Sequence, residues 1–382
     1  MRTTILVFIG IILVFFACRQ MPPIDPCDSL RQIPYQPTSY TVEKPTGFPP
    51  MSHPADNPIT EEGIELGRHL FYDPILSRDS TISCSSCHQQ EKAFTDGRTL
   101  AIGIDGRVGK RNSMSLINVG YNFQANRPYN FMWDGRFQTL EQQVLEGAIL
   151  DPLEMDNTWE KVEEDLRKHP TYPEMFRKAF GIECKDGISR DLVAKAIAQF
   201  ERTLNSANSA YDTINITPFA RLTNEQDTGF QLFQGDAQNG LPNILDAECA
   251  HCHSFSPSNM SFARNDFSNN GLNGSTSLND FPDAGYGAIT GNLHENGLFR
   301  EVTLRNIALT APYMHDGRFQ TLEEVIDHYV SGIQHAPNLA TELESGQDLP
   351  QLTDRDKSNL IAFLHTLTDS SYFHKPEWSS PF

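Results

Sequence analysis

The chain has 382 residues, 38% hydrophobic and 21% charged, the make-up of an ordinary globular protein with two or three compact units. Its formal net charge of −19 excludes nucleic acid as a natural partner and suits a basic protein partner.

At the start, Arg2 precedes an apolar run from Ile5 to Phe16, broken only by Gly10 and followed by Ala17-Cys18. The run is short for a membrane span and reads as the core of a signal peptide over residues 1–17. Cleavage would leave Cys18 as a lipidated terminus anchoring a periplasmic protein to a membrane face. Residues 18–58 are rich in proline and lack helical periodicity, which indicates a tether or an extended strap over the folded body. Cys27 and Cys184 form either a disulfide, as an oxidising compartment allows, or two free thiols; their separation leaves both readings open.

Helical signals begin at Thr60-Glu61-Glu62, with Ile64, Leu66, Leu70 and Phe71 apolar, and stop at Asp73-Pro74. A glycine-rich segment follows His88 (Gly97, Gly103, Gly106, Gly109), where irregular backbone can approach a cofactor closely. Trp159 to Lys168, Tyr172 to Phe180 and Ser189 to Leu204 read as helices. The polar stretch from Asn205 to Pro218 marks a boundary between units 59–207 and 208–382. The second unit opens with a helix from Thr223 through Phe233 and carries a long Asn/Ser/Gly-rich loop from Ser254 to Gly291. It closes with helices from Thr321 and Thr353. No stretch sustains the alternation of a sheet, so an all-α fold with extensive loops is expected.

A decapeptide from Met132 to Glu141 returns from Met314 to Glu323, 182 residues later, with only Trp133 replaced, by His315. Each copy follows a Cys-x-x-Cys-His pentapeptide, Cys84 to His88 and Cys249 to His253. The repetition indicates two units related by duplication. In that motif two thiols bond a haem covalently while the adjacent His ligates iron. It therefore assigns Cys84, Cys87 and His88 to one haem, and Cys249, Cys252 and His253 to another. A four-cysteine zinc site or a thioredoxin-like redox pair would not require the two histidines.

The second decapeptide starts a helix with the capping box Thr321-x-x-Glu324. Its apolar face runs through Leu322, Val325, Ile326, Tyr329 and Val330, which points Tyr329 inward and leaves His328 to solvent. Such a Tyr is either core or an iron ligand. At the same offset the first unit has Gly147, with Gln143 one turn earlier, so its haem would keep an open iron position.

In its motifs the chain resembles the bacterial di-haem cytochrome c peroxidase superfamily over essentially everything after residue 58. The carrying motifs are the two pentapeptides, Lys110-Arg111-Asn112, Trp133-Asp134-Gly135-Arg136, Asp151-Pro152-Leu153-Glu154-Met155, and Leu304-Arg305-Asn306 through Gly317. The resemblance implies two cytochrome c-like haem domains, the N-terminal haem peroxidatic and the C-terminal one passing electrons. It places Trp133 between the haems, Glu154 as acid–base for peroxide and Gln143 in the distal pocket. It also implies a calcium ion between the domains, held by the Asn112 side chain and the backbone carbonyls of Thr310 and Pro312. Two departures match the MauG-like branch, whose founding member oxidises protein tryptophans through a high-valent di-haem state. Ile104 stands where ordinary members have a blocking His, and Tyr329, fourteen residues beyond His315, replaces a Met ligand. Tyr is an anionic haem ligand that favours oxidised iron.

The function expected is reduction of hydrogen peroxide with electrons from a small redox protein or other donor. Oxidation of a protein or organic substrate is one alternative, and a non-enzymatic electron relay the other. The resemblance leaves room for a homodimer.

Overall fold

The computed structural model describes residues 27–123, 131–217, 220–235, 247, 249–344 and 352–382. The leader and Cys18 lie outside the described residues. The expected helices form, at Glu61–Tyr72, Trp159–Lys168, Tyr172–Phe180, Arg190–Glu201, Asn224–Gln234 and Asp354–His365. Most open on a Ser or Thr whose hydroxyl accepts from the third helical N–H, as Thr60, Thr158, Thr223 and Thr353 do. Among the described residues the only strands are Phe267–Ser268 and Phe299–Arg300, paired antiparallel, so the fold is rich in helix and loop. No described helix is long and apolar enough to cross a membrane.

Two helix pairs dominate the packing. In one, helix 61–72 lies on helix 190–201; in the other, helix 224–234 lies on helix 354–365. Each crossing is close because a glycine sits at it. A Cβ at Gly67 would lie 2.0 Å from the Ala196 carbonyl oxygen, and one at Gly229 would lie 1.9 Å from that of Asn359. Leu66, Leu70, Phe71, Phe94, Val162 and Phe200 belong to the first core; Phe233, Phe262, Leu360 and Phe363 belong to the second.

The proline-rich segment is a strap, its Leu30 seated in the first core and its Phe48 in the second. A disulfide joins Cys27 to Cys184 across 157 residues and ties the strap down. The C-terminal tail does something periodicity does not signal: Tyr372 and Trp378 return to the first core. The polar stretch 205–217 is likewise more than a connector. It contains a helix, Ala210–Ile216, whose Tyr211 is buried in the second core.

Buried charge is paired across these elements. Arg202, 1% exposed at its side chain, holds Glu141 through two hydrogen bonds of 2.7 and 2.9 Å. Arg305 holds Asp212 in the same way, at 2.8 and 2.6 Å. Arg202 keeps the Glu141 carboxyl below its usual range despite burial. Because this folded-state pKa is depressed, the pair's stabilisation is present above the unfolded carboxylate pKa and is lost as pH falls through the folded one. Arg202→Met strands a buried carboxylate and should cost about 3–5 kcal/mol in urea unfolding at neutral pH. The deficit relative to native should shrink on acidification.

Candidate functional site: two haem cavities sharing Trp133

Each Cys-x-x-Cys forms a single helical turn, Cys84–Cys87 and Cys249–Cys252, that ends at its histidine. The two pairs line different cavities, one of about 1070 Å³ and one of about 260 Å³, so they do not assemble a four-cysteine metal site. Burial pushes the thiols of Cys87 and Cys252 up to about 12 and raises Cys84 as well. Thiols held protonated are poor redox nucleophiles, which sets aside the thioredoxin-like reading.

Both histidines are oriented by a backbone carbonyl. His88 Nδ1 lies 2.8 Å from Phe94 O, and His253 Nδ1 lies 3.0 Å from Val302 O. Donation from Nδ1 leaves each Nε2 with a lone pair, the arrangement an iron ligand requires. Burial lowers both imidazoles, His253 to about 4, so both are neutral as ligation demands. The chemistry of this donor set fits two covalently held haems.

The larger cavity carries most of the residues singled out for peroxide chemistry: His88, Trp133, Gln143 and Glu154 all line it. Gln143 is delivered by the helix Leu140–Glu146, which opens on Thr139. Glu154 sits in a tightly made loop. Glu154 and Asp156 N–H both donate to Asp151 O at 3.0 Å, and Leu153 N–H donates to the Asp151 carboxylate at 2.7 Å. Burial, aided by Asp151 nearby, pushes the Glu154 carboxyl up to about 7. The glycine-rich segment packs against this loop and lines the same cavity through Ala101, Gly103 and Gly109. Ile104 N–H donates to Glu154 O at 2.8 Å, and a Cβ on Gly103 would lie 2.1 Å from Leu153 O. Ile104 is fully buried. Arg78 and Arg107 clamp the two loops from outside, each bonding both Asp105 and Asp156 at 2.7–2.9 Å. The four residues of this clamp carry no sequence motif; only folding brings them together.

Gly147 departs from expectation. It caps the 140–146 helix and is not among the residues lining the cavity. A Cβ there would meet the Gln143 carbonyl at 2.3 Å. The offset of 182 residues pairs it with Tyr329 in sequence, but the second helix does not stop at the equivalent point. Leu322–Asp327 is α-helical and His328–Gly332 continues as a π turn. That wider turn corrects a second expectation. His328 is buried at 6% exposure, with Nε2 3.0 Å from Asn270 O, because a π turn shifts the angle at which successive side chains emerge.

Tyr329 lines the smaller cavity with Cys249, Cys252 and His253. Its hydroxyl accepts from Asn270 Nδ2 at 3.4 Å. Burial pushes the phenol up to about 12, so only a bound cation would draw off its proton. Asn270, from the long loop, was not legible as a site residue. Nor was Arg300, fully enclosed and lining both cavities.

Trp133 also lines both cavities. Its indole N–H donates to Asn112 O at 2.9 Å, and its carbonyl accepts from Arg300 N at 2.9 Å. Of the expected calcium ligands, Asn112 lines the larger cavity and gives its amide N–H to Arg98 O at 2.7 Å. Thr310 and Pro312 line the smaller one.

With this geometry in view, comparison with known proteins is direct. Residues 61–216 match the profile of the di-haem cytochrome c peroxidases. The methylamine utilization protein MauG of Methylorubrum extorquens is 33% identical over 315 residues, 82% of this chain and 80% of that one. The cytochrome c551 peroxidase of Nitrosomonas europaea is 32% identical over 314 residues, 82% of each chain. The crystal structure of a MauG-like protein associated with microbial copper homeostasis is 36% identical. It superposes with a TM-score of 0.73, covering 90% of this chain and 99% of that one. The fold and site define a di-haem c-type oxidoreductase. The chain belongs to the di-haem cytochrome c peroxidase family, and it is an enzyme of the cytochrome c peroxidase type.

The resemblance implies Glu154 as the base for peroxide, and this carboxyl protonates, losing its capacity to accept, as pH falls through about 7. The rate of reaction with peroxide should therefore decline below that pH in stopped-flow measurements and level off above it.

Proposed function

We propose that the protein reduces hydrogen peroxide at a haem held by Cys84, Cys87 and His88, drawing on a second haem held by Cys249, Cys252, His253 and Tyr329. The observation that supports this most is that Trp133 lines both cavities while Glu154 and Gln143 line only the larger one. When bound, haem supplies one-electron redox chemistry and an iron at which the peroxide O–O bond breaks.

The protein's own groups do the rest. Glu154 accepts a proton from one peroxide oxygen and returns it to the other, which leaves as water. Its loop, fixed by Asp151 and by Ile104 N–H, holds the carboxyl at one place on the cavity wall. Gln143 orients the substrate by hydrogen bonding. Trp133, locked by Asn112 O and Arg300 N–H, offers the aromatic path between the cavities. Two electrons and two further protons complete the conversion to water, the electrons coming from a small redox protein or other donor that the acidic surface would accept.

The two decapeptides support descent of both units by duplication. Met132 and Met314 share left-handed φ of 71° and 74°, and Asp134–Arg136 and Asp316–Arg318 make matching pairs. The peroxidatic and electron-passing roles, the division at 207/208, calcium held by Asn112, Thr310 and Pro312, and lipid anchoring at Cys18 in the periplasm belong to the same proposal. The intramolecular disulfide is in keeping with an oxidising compartment.

A second reading, oxidation of a protein or organic substrate, draws support from Tyr329 in the second cavity and from the buried Ile104. A mere electron relay leaves the acid–base loop without a purpose.

The as-isolated ferric protein should show one high-spin and one low-spin haem and should react with peroxide without prior reduction. Two low-spin haems would sink the assignment. Tyr329→Phe should abolish the low-spin signal of the second haem, and an unchanged spectrum excludes that ligand. Glu154→Gln should slow reaction with peroxide by about 10²-fold or more.

A further inference from the structure

The larger cavity holds a second carboxyl that the chemistry above does not use. Glu201 ends the 190–201 helix, is 5% exposed and lines the cavity one turn beyond Ile197. Its Oε2 is buried and has no hydrogen-bond partner. A leucine would fill the same place at no desolvation cost, so a carboxyl here calls for an explanation.

The surrounding charges offset its burial only in part. Arg202, adjacent in sequence, favours the ionised form of Glu201, but its two guanidinium hydrogen bonds go to Glu141 from the 140–146 helix and not to Glu201. Glu141 itself adds negative potential. From the 61–72 helix, Arg68 and His69 are paired with Glu65. From the 159–168 helix, Arg167 is paired with Glu163. Across the cavity, Glu201 and Glu154 both act on the Cys84 thiol, which places both carboxyls within electrostatic reach of the haem attachment turn.

We propose that Glu201 is a redox-linked proton site: its carboxylate takes up one proton from solvent when the haem at Cys84 and Cys87 takes up one electron, and releases it on oxidation. Charge balances, since each electron entering the cavity is accompanied by one proton. The physical reason is Coulombic. An electron placed beside a buried carboxylate with no cation bonded to it makes its negative form more costly, and protonation removes that cost. Burial already pushes this carboxyl up to about 8, so near and above that pH it is ionised and a nearby electron draws a proton onto it. The site thus stores a proton beside the acid–base residue that handles peroxide.

The inference rests on a haem being attached at Cys84, which is checked separately by pyridine haemochrome titration: two haems per native chain, one in Cys84→Ala/Cys87→Ala. The proposal itself is tested by measuring each haem's midpoint potential against pH. In the native protein the potential of the Cys84 haem should fall as pH rises through the interval around 8. Glu201→Gln, nearly isosteric, should flatten that dependence while Glu154→Gln retains it. A native slope persisting in Glu201→Gln overturns the proposal. Should that variant fail to fold, redox-difference infrared spectra of the native protein decide. A protonated-carboxyl band that appears on reduction and shifts in D₂O supports Glu201, and its absence rules the proposal out.

Discussion

Two hydrogen bonds fix Trp133, the residue that lines both cavities. Trp133 gives its indole N–H to Asn112 O and accepts Arg300 N–H at its own carbonyl, each at 2.9 Å. Asn112 N–H in turn donates to His315 O at 2.8 Å, so the seam crosses between the two decapeptides. Around it, Arg111 bonds Asp134 on one side and Asp283 of the long loop on the other. Phe299 stacks on His315 at a centroid distance of 3.6 Å and lies beneath the Arg111 guanidinium. A ring that lines both cavities keeps one orientation only if its surroundings fix it. Here backbone groups set that orientation, and the ion pairs hold those groups.

The buried acidic groups in and beside the larger cavity have different environments. Asp134 is kept ionised by Arg111 and Arg136, and Glu141 by Arg202. Glu154 and Glu201 have no such cation bonded to them, and burial drives both upward. Carboxyls of one chemical type are thereby divided into groups held ionised and groups pushed upward by what lies around each. The Arg78–Asp105–Arg107–Asp156 clamp serves that division indirectly, since it fastens the loop on which Glu154 sits. Individually exposed pairs contribute little, but four groups sharing contacts restrain a loop better than one pair does.

Several parts of this arrangement were legible before folding. Cys84 to His88 and Cys249 to His253 carry their chemistry within five residues, so spacing alone identifies them. The helices at 61–72, 159–168, 172–180 and 354–365 follow from apolar periodicity and Thr or Ser caps, both local signals. Other features escaped. An ideal α-helix would put His328 in solvent, and the π turn from His328 to Gly332 turns it inward. Gly147 was matched to Tyr329 by offset, but its helix ends where the other continues, so equal sequence position did not mean equal place in the cavity.

What the sequence by itself determined is therefore the covalent and short-range content: two attachment motifs, a repeated decapeptide, and membership of a di-haem class. What only the tertiary structure decided is which groups share a cavity and how each is charged. Tyr372 and Trp378 return to the first core, Asn270 reaches Tyr329, and Arg202 hydrogen-bonds Glu141 and not Glu201. Each of these joins residues tens to hundreds of positions apart. The reason is physical: desolvation and Coulomb energy depend on distance through space, and periodicity along the chain does not encode that distance.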